Sequence, residues 1–268
     1  MTSKAIRYGS RTALFVAVLL VVIYFGYKLV EDPSNQIFGT TVVSGPLDQR
    51  VVALTYDDGP NPPYTDRILD VLKKENVRAT FFVVGRAIQE HPQTLRRILH
   101  EGHAIGNHTW DHPHLVMLSR AEIHNQLIRT DAILQRVGGV HTRLMRPPFG
   151  ARDWEVLDET RKLGYTVVMW SVPLPKDWQL PGDTTIARRV LSHVRDGSII
   201  VLHDGNRGLL CSGAKRSDSR MCDRSQDVGA TRLIVESLKR EGYRFVTIPE
   251  LVALGRDVAK RKSGHGSE

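Results

Sequence analysis

The stretch Val51-Val52-Ala53-Leu54-Thr55-Tyr56-Asp57-Asp58-Gly59-Pro60, "VVALTYDDGP", runs an apolar segment straight into two adjacent carboxylates. Its β-branched and aromatic side chains, bounded by Gly and Pro, read as a buried strand. The Asp pair at its end is the anomaly. Adjacent like charges repel, and neighbours on a regular strand point to opposite faces. Gly59-Pro60-Asn61-Pro62-Pro63 then drives the chain out of strand geometry, so both carboxylates can be turned toward one cavity.

Downstream, short apolar runs alternate with amphipathic stretches. "YTDRILDVLKKE" (64–75) is a helix with Ile68, Leu69 and Leu72 on one face. "ATFFVVG", "HAIGNHT", "TRLMR", "YTVVMW", "SIIVLHD" and "YRFVTI" are further strands. Helices are expected in "HPQTLRRILHEG" and over Ala121–Val137, Trp154–Leu163, Thr185–Val194 and Thr231–Glu241. About seven strands, each followed by a helix, predict an α/β fold with a parallel sheet, barrel-like or doubly wound. No internal repeat is present. Asp57, Asp58, His108, Arg146, Asp177 and His203 fall at or soon after the C-terminal ends of these strands, the rim on which (β/α) barrels build active sites.

The 268 residues suffice for one sizeable domain, and 41% hydrophobic with 25% charged residues excludes general disorder. The net charge of +8 is partly terminal: Lys4, Arg7 and Arg11 at one end, Lys260-Arg261-Lys262 at the other. No basic-aromatic motif accompanies it, so no nucleic-acid partner is expected. Ala13–Tyr27, "ALFVAVLLVVIYFGY", lacks charge and Pro; extended to 12–30 it is about long enough for a bilayer span. The basic flank predicts a single-pass signal anchor with residues 1–11 cytoplasmic and the remainder exported. The alternative is a secreted protein released by signal-peptide cleavage, although no small-x-small site follows the run. Residues 31–49 read as a linker, 50–255 as the catalytic domain, and 256–268 as a basic flexible tail. Cys211 and Cys222, in a polar loop of an exported domain, are expected to pair as a disulfide.

"NHTWDH" sets His108 and His112 four apart, and one helical turn there would bring both imidazoles to one side. Asp58 completes a two-His, one-carboxylate set with open positions, although ligand types alone leave the metal undecided. A cation at Asp58 offsets the repulsion within the Asp pair, and Asp57 is left as a base for hydrolytic chemistry.

"TYDDGP", "HTWDH", "RPPFG" (146–150), "KDW" (176–178) and "VLHD" (201–204), in that order, resemble the five motifs of the polysaccharide deacetylase family. This is the NodB-homology or carbohydrate esterase family 4 domain, and the resemblance spans about residues 50–250. It implies a distorted (β/α) barrel of about seven parallel strands and divalent-metal-dependent removal of acetyl groups from N-acetylated glycans or O-acetylated xylan. Carried over, Asp57 is the general base, and Asp58, His108 and His112 are the metal ligands, with zinc first and cobalt or nickel as alternatives. Arg146 orients Asp57, and the Phe149 backbone N–H helps stabilise the oxyanion. His203 is the general acid, paired with Asp177, while Trp178 and Leu202 wall the acetyl pocket. The fourth motif departs from the family's D-x-x-D-W pattern: "WSVPLPKDW" has Pro173 near the place of the earlier Asp, which puts the pairing of His203 in doubt.

Rival enzyme classes lack their signatures: there is no G-x-S-x-G, and Thr109 stands at the Glu position of H-E-x-x-H. A glycan-binding module without turnover is the reading from another class. An exported anchored domain predicts an acetylated polysaccharide substrate, peptidoglycan first, with chitin oligomers and acetylxylan as alternatives. The membrane is a partner through the N-terminal helix, and no obligate protein partner is evident.

Overall fold

The computed structural model describes residues 2–206 and 222–264, without the side chains of 2–14, 22–23 and 258–264. The opening stretch forms β1 (Val51–Asp57), buried along its whole length. Such a continuous apolar run suits a parallel strand covered on both faces. β1 pairs in parallel with β2 (Thr80–Val83) on one edge and β6 (Ser198–His203) on the other. With β3 (Ala104–Asn107), β4 (Leu144–Met145) and β5 (Thr166–Val167), the sheet order is β5-β4-β3-β2-β1-β6. β7 (Arg244–Phe245) pairs with Val51 and Val52, upstream of the point where β2 joins β1. The sheet is a curled half-barrel of parallel strands.

Around it lie α2 (Tyr64–Lys74), α3 (Gly85–Glu90), α4 (Pro92–His100), α5 (Arg120–Gly138), α6 (Trp154–Lys162), α7 (Asp183–Leu191), α8 (Ser225–Arg240) and α9 (Ile248–Gly264). Local sequence sets their ends. α5 starts at a reciprocal Ser119/Glu122 capping box and stops at Gly139, whose φ of 68° a Cβ would disfavour.

Strand alternation sorts side chains into two layers. Val52, Leu54 and Tyr56 pack outward against Ile68, Leu69 and Leu72 of α2 and Ile234 of α8. Each such burial contributes about 1.5–3 kcal/mol. Val51 and Ala53 face inward with Phe82, Met145, Ile199 and Val201. Period two therefore carries Thr55 and Asp57 along the inner row of β1, and His203 along that of β6.

Three expectations are corrected. Residues 31–49 are not a free linker. Asp32 Oδ1 accepts from the Ser34 backbone N–H and hydroxyl, and Asn35 Oδ1 accepts from the Ile37 N–H, so local turns order the segment. Val42 then bridges to Val168 and Ser44 to Ser198, so this segment spans the seam between β5 and β6. Second, Lys260–Lys262 belong to α9, which runs to Gly264, rather than to a structureless tail. Third, residues 12–30 fall within α1 (Thr2–Glu31), and among the described residues no helix is long and apolar enough to cross a membrane. Its described apolar side chains, such as Phe15, Leu20 and Phe25, are exposed. The expected Cys211–Cys222 pairing involves Cys211, which lies outside the described residues.

Candidate active site

Asp57 ends the inner row of β1, and its register partner on β6 is His203. Two titratable side chains thus stand side by side at the C-terminal rim, about 4.8 Å apart in backbone spacing. Arg146 follows β4 and crosses the interior of the curl to reach them. Its Nη1 donates to Asp57 Oδ1 at 2.6 Å and to Thr55 Oγ1 at 2.8 Å. Nε and Nη2 donate to the carbonyls of Val168 and Met169, both at 3.1 Å. The guanidinium also lies 4.1 Å from the Phe82 ring centroid. Burial pulls the Arg146 pKa down while Asp57 opposes that pull. The bonds to Thr55, Val168 and Met169 hold the guanidinium in place, and its bond to Asp57 then fixes that carboxylate.

Asp58 is the first residue past the strand, at φ 78°. That left-handed backbone turns it away from the strand's alternation, so it enters the same cavity as Asp57. Its Oδ1 lies 3.4 Å from His108 Nε2 and 3.1 Å from His112 Nε2. The three donor atoms lie within 4.8 Å of one another, and all three residues are buried. Burial alone would raise the Asp58 pKa, but the charge of the neighbouring imidazoles, His112 first and then His203, outweighs it and holds the carboxyl well below its ordinary range.

His108 follows β3, but no helical turn brings His112 to it. The link is irregular, with left-handed backbone at Thr109 (φ 69°) and His112 (φ 63°). The His112 N–H donates to Thr109 Oγ1, the Thr109 N–H to Asn107 Oδ1, and the Trp110 N–H to Gln126 Oε1 of α5. Side chains thus replace the helical hydrogen bonds, and the ring centroids come to 5.0 Å. His108 Nδ1 contacts the Arg146 carbonyl at 2.8 Å. A carbonyl only accepts, so Nδ1 carries the proton and the Nε2 lone pair turns toward Asp58. Acceptor faces acceptor there, an arrangement that a cation between them resolves. The residues therefore fit a divalent metal.

His203 Nδ1 lies 2.9 Å from Asp177 Oδ2, and the His203 backbone N–H donates to the same oxygen at 2.8 Å. Burial opposes the charged imidazole, but Asp177, then Asp58 and Asp57, outweigh it and push the pKa up to about 9. Asp177 is fully buried, and although burial raises its pKa, His203 wins and lowers it. The pairing thus forms despite Pro173, because the carboxylate comes from the short turn Asp177–Gln179, held by Gln226 Nε2 on the Asp177 carbonyl at 2.8 Å.

Asp57, Asp58, His108, His112 and His203 line one cavity of about 240 Å³, with Phe149, Trp170, Trp178 and Val201 among its apolar walls. Phe149 sits at φ 60°, its ring stacked on His114 at 3.8 Å. Trp178 meets His203 edge-on at 5.6 Å. Leu202 does not line the cavity. It points outward into the helix-packed layer, and its neighbour Val201 takes the inner position by strand alternation.

Other residues of the site are given no role by the motif reading, although Thr55 and Asp204 lie within two of the motifs. Thr55 holds Arg146, and its place two before Asp57 was the available signal. Asp204 accepts from the Thr65 hydroxyl at 2.6 Å and the Gly59 N–H at 3.1 Å, bracing the turn that carries Asp58. Burial raises its pKa to about 7. Arg224 is buried on the cavity wall, its Nε donating to the Gly205 carbonyl at 2.7 Å. Burial and the neighbouring Asp177 push the Asp227 pKa well above the ordinary range. No local sequence pattern marks Arg224 or Asp227.

Residues 44–168 match the family profile described as polysaccharide deacetylase. The chain is 37% identical over 214 residues to a peptidoglycan-N-acetylglucosamine deacetylase of Bacillus cereus, covering 80% of this chain and 72% of the relative. It is 39% identical over 203 residues to a chitooligosaccharide deacetylase of Bradyrhizobium sp., covering 75% and 90%. The solved structure of the peptidoglycan deacetylase PdaC from Bacillus subtilis superposes with a TM-score of 0.70 at 34% identity, over 83% of this chain and 100% of that one.

Proposed function

The chain belongs to the polysaccharide deacetylase family of enzymes, and from that premise we propose that it hydrolyses acetamido groups of an extracytoplasmic glycan, peptidoglycan hexosamines first. The observation that carries this reading is the juxtaposition of Asp57, fixed by Arg146, with the Asp58-His108-His112 cluster on one side and the His203-Asp177 pair on the next strand. The relatives named for peptidoglycan and chitooligosaccharide substrates support the choice of an N-acetylated sugar.

Asp58, His108 and His112 would hold a divalent metal, zinc first, which supplies Lewis acidity toward the acetyl carbonyl and lowers the pKa of water. Asp57, its position set by Arg146, takes the proton of the attacking water. The Phe149 backbone amide and the cavity's apolar walls receive the acetyl group, with Trp178 beside it. As the C–N bond breaks, His203 gives its proton to the departing amine, and Asp177 stabilises the imidazolium until then. Acetate and a glycan amine leave.

The basic residues Lys4, Arg7 and Arg11 ahead of the apolar run 13–27 support an exported domain. The test is acetate release from peptidoglycan, chitin oligomers and acetylxylan, after chelation and again after zinc is restored. Zinc-restored release from peptidoglycan supports the proposal. Release from chitin oligomers alone reassigns the glycan. No release from any substrate by folded, zinc-loaded protein overturns the hydrolytic reading in favour of glycan binding.

A further inference from the structure

The active-site cavity has one wall that does not come from the barrel. Tyr27 and Glu31, on the last turn of α1, line it together with Asp57, Asp58 and His203. The turn is held there by a buried cation. Arg152, fully buried, follows Phe149 and Gly150 of the cavity wall and reaches back to the end of α1. Its Nη2 donates to the carbonyls of Asp32 (2.8 Å), Pro33 (3.2 Å) and Asn35 (2.6 Å), and its backbone N–H donates to the Val30 carbonyl at 3.3 Å. A cation at a helix C-terminus satisfies carbonyls that have no partner within the helix. The Asn35 amide adds a bond to the Leu29 carbonyl at 2.8 Å. The position of the turn on the rim is therefore specified.

Among the described residues the Glu31 carboxylate has neither a hydrogen bond nor an ion pair, although it borders the cavity. Tyr27 offers a half-exposed aromatic ring beside it. The cavity of about 240 Å³ is smaller than the ~300 Å³ at which small-molecule pockets usually begin, and Tyr27 and Glu31 are among its lining residues.

We propose that the last turn of α1 is a sugar subsite: Tyr27 gives a ring face to the hexosamine adjoining the one that loses its acetyl, and Glu31 accepts hydrogen bonds from that sugar's hydroxyls. The inference rests on the glycan-deacetylase reading. It makes the segment before the barrel a determinant of which glycan, and what length of glycan, is bound. Binding to this neighbouring sugar is made equally in the ground and transition states, so its loss appears in KM and not in kcat.

The experiment uses the full chain loaded with zinc, and a tetramer and a dimer of N-acetylglucosamine. Acetate release and calorimetric affinity are measured for the wild type, Tyr27→Ala, Glu31→Gln and the control Tyr24→Ala. Tyr24 lies one turn earlier on α1 and is exposed away from the cavity. Losing one aromatic contact raises KM and Kd for the tetramer about tenfold in Tyr27→Ala, with kcat within about twofold. Glu31→Gln moves in the same direction by a smaller factor, and Tyr24→Ala matches the wild type. Wild-type KM and Kd in both Tyr27→Ala and Glu31→Gln overturn the subsite. A wild type that binds the tetramer without releasing acetate overturns the proposed function, while its Kd series still decides the subsite.

Discussion

Replacing Asp177 by Asn tests whether His203 works as an acid because of its carboxylate. The substitution keeps shape and an oxygen acceptor for His203 Nδ1 but withdraws the charge 2.9 Å away. That charge is the chief reason His203 titrates at about 9 rather than 6.5, against the pull of burial. The displacement corresponds to about 3 kcal/mol favouring the imidazolium. Without it, burial is less opposed and the pKa returns to 6.5 or lower. At pH 8 the protonated fraction then falls from about 0.9 to about 0.03, so kcat/KM drops about 30-fold, while near pH 6 the two enzymes differ by only a few-fold. The assay is kcat/KM for acetate release from pH 5.5 to 10 at saturating zinc. The alkaline limb moves from near 9 to below 7 in the variant. Stability follows the same sign. A His raised in the folded state contributes stability that is fully present below 6.5 and lost as pH rises through about 9. The wild-type Tm therefore falls across that window, and the variant's Tm falls less. An alkaline limb that stays in place would refute the assignment of His203 as the acid set by Asp177.

Arg146→Met leaves Asp57 buried without its partner and costs about 3–5 kcal/mol in urea unfolding, whereas Arg146→Met combined with Asp57→Asn regains most of it. A loss below about 1 kcal/mol in the single variant would mean that the pair does not hold the rim together. Leu202→Ala empties an outward core position and costs about 2–5 kcal/mol, with kcat/KM unchanged at temperatures where the variant is folded. A raised KM there would place Leu202 against substrate and contradict the strand register.

The core strands were legible because parallel strands buried on both faces are continuous apolar runs, as in "VVALTY" and "SIIVL". The rim positions of Asp57, His108, Arg146 and His203 follow from where those runs stop. Period-two alternation also carries the information that Leu202 and His203 face opposite ways, yet a motif reading treats both as site residues. What stayed hidden depends on long-range pairing. Residues 41–46 offer only Gly45-Pro46 and two valines, which read as loop. The N–H groups of Val42 and Gly45 donate to the carbonyls of Val167 and Gly197, partners more than a hundred residues away. The spacing of His108 and His112 suggests a helical turn, because spacing alone does not reveal that side chains of Asn107, Thr109 and Gln126 take the backbone hydrogen bonds. Arg152 shows no sequence signal, since its partners are carbonyls.

The two adjacent carboxylates are separated in role by a single backbone dihedral. Asp57 keeps extended geometry, so its side chain stays in the inner row with Thr55 and within reach of Arg146. Asp58, at φ 78°, leaves the row and meets the two imidazoles. A left-handed non-glycine residue costs about 1–3 kcal/mol and persists only where its surroundings over-determine it. Here Asp204 supplies that determination by taking the Gly59 N–H and the Thr65 hydroxyl, while the Gly205 backbone packs on the Asp58 backbone so closely that an added Cβ would come within 2.3 Å of it. The end of β6 therefore does two things at once: His203 furnishes the acid, and Asp204-Gly205 hold the turn that keeps the base and the metal-binding carboxylate apart. A lesion at Asp204 or Gly205 accordingly belongs with the active site, although neither residue lines the cavity.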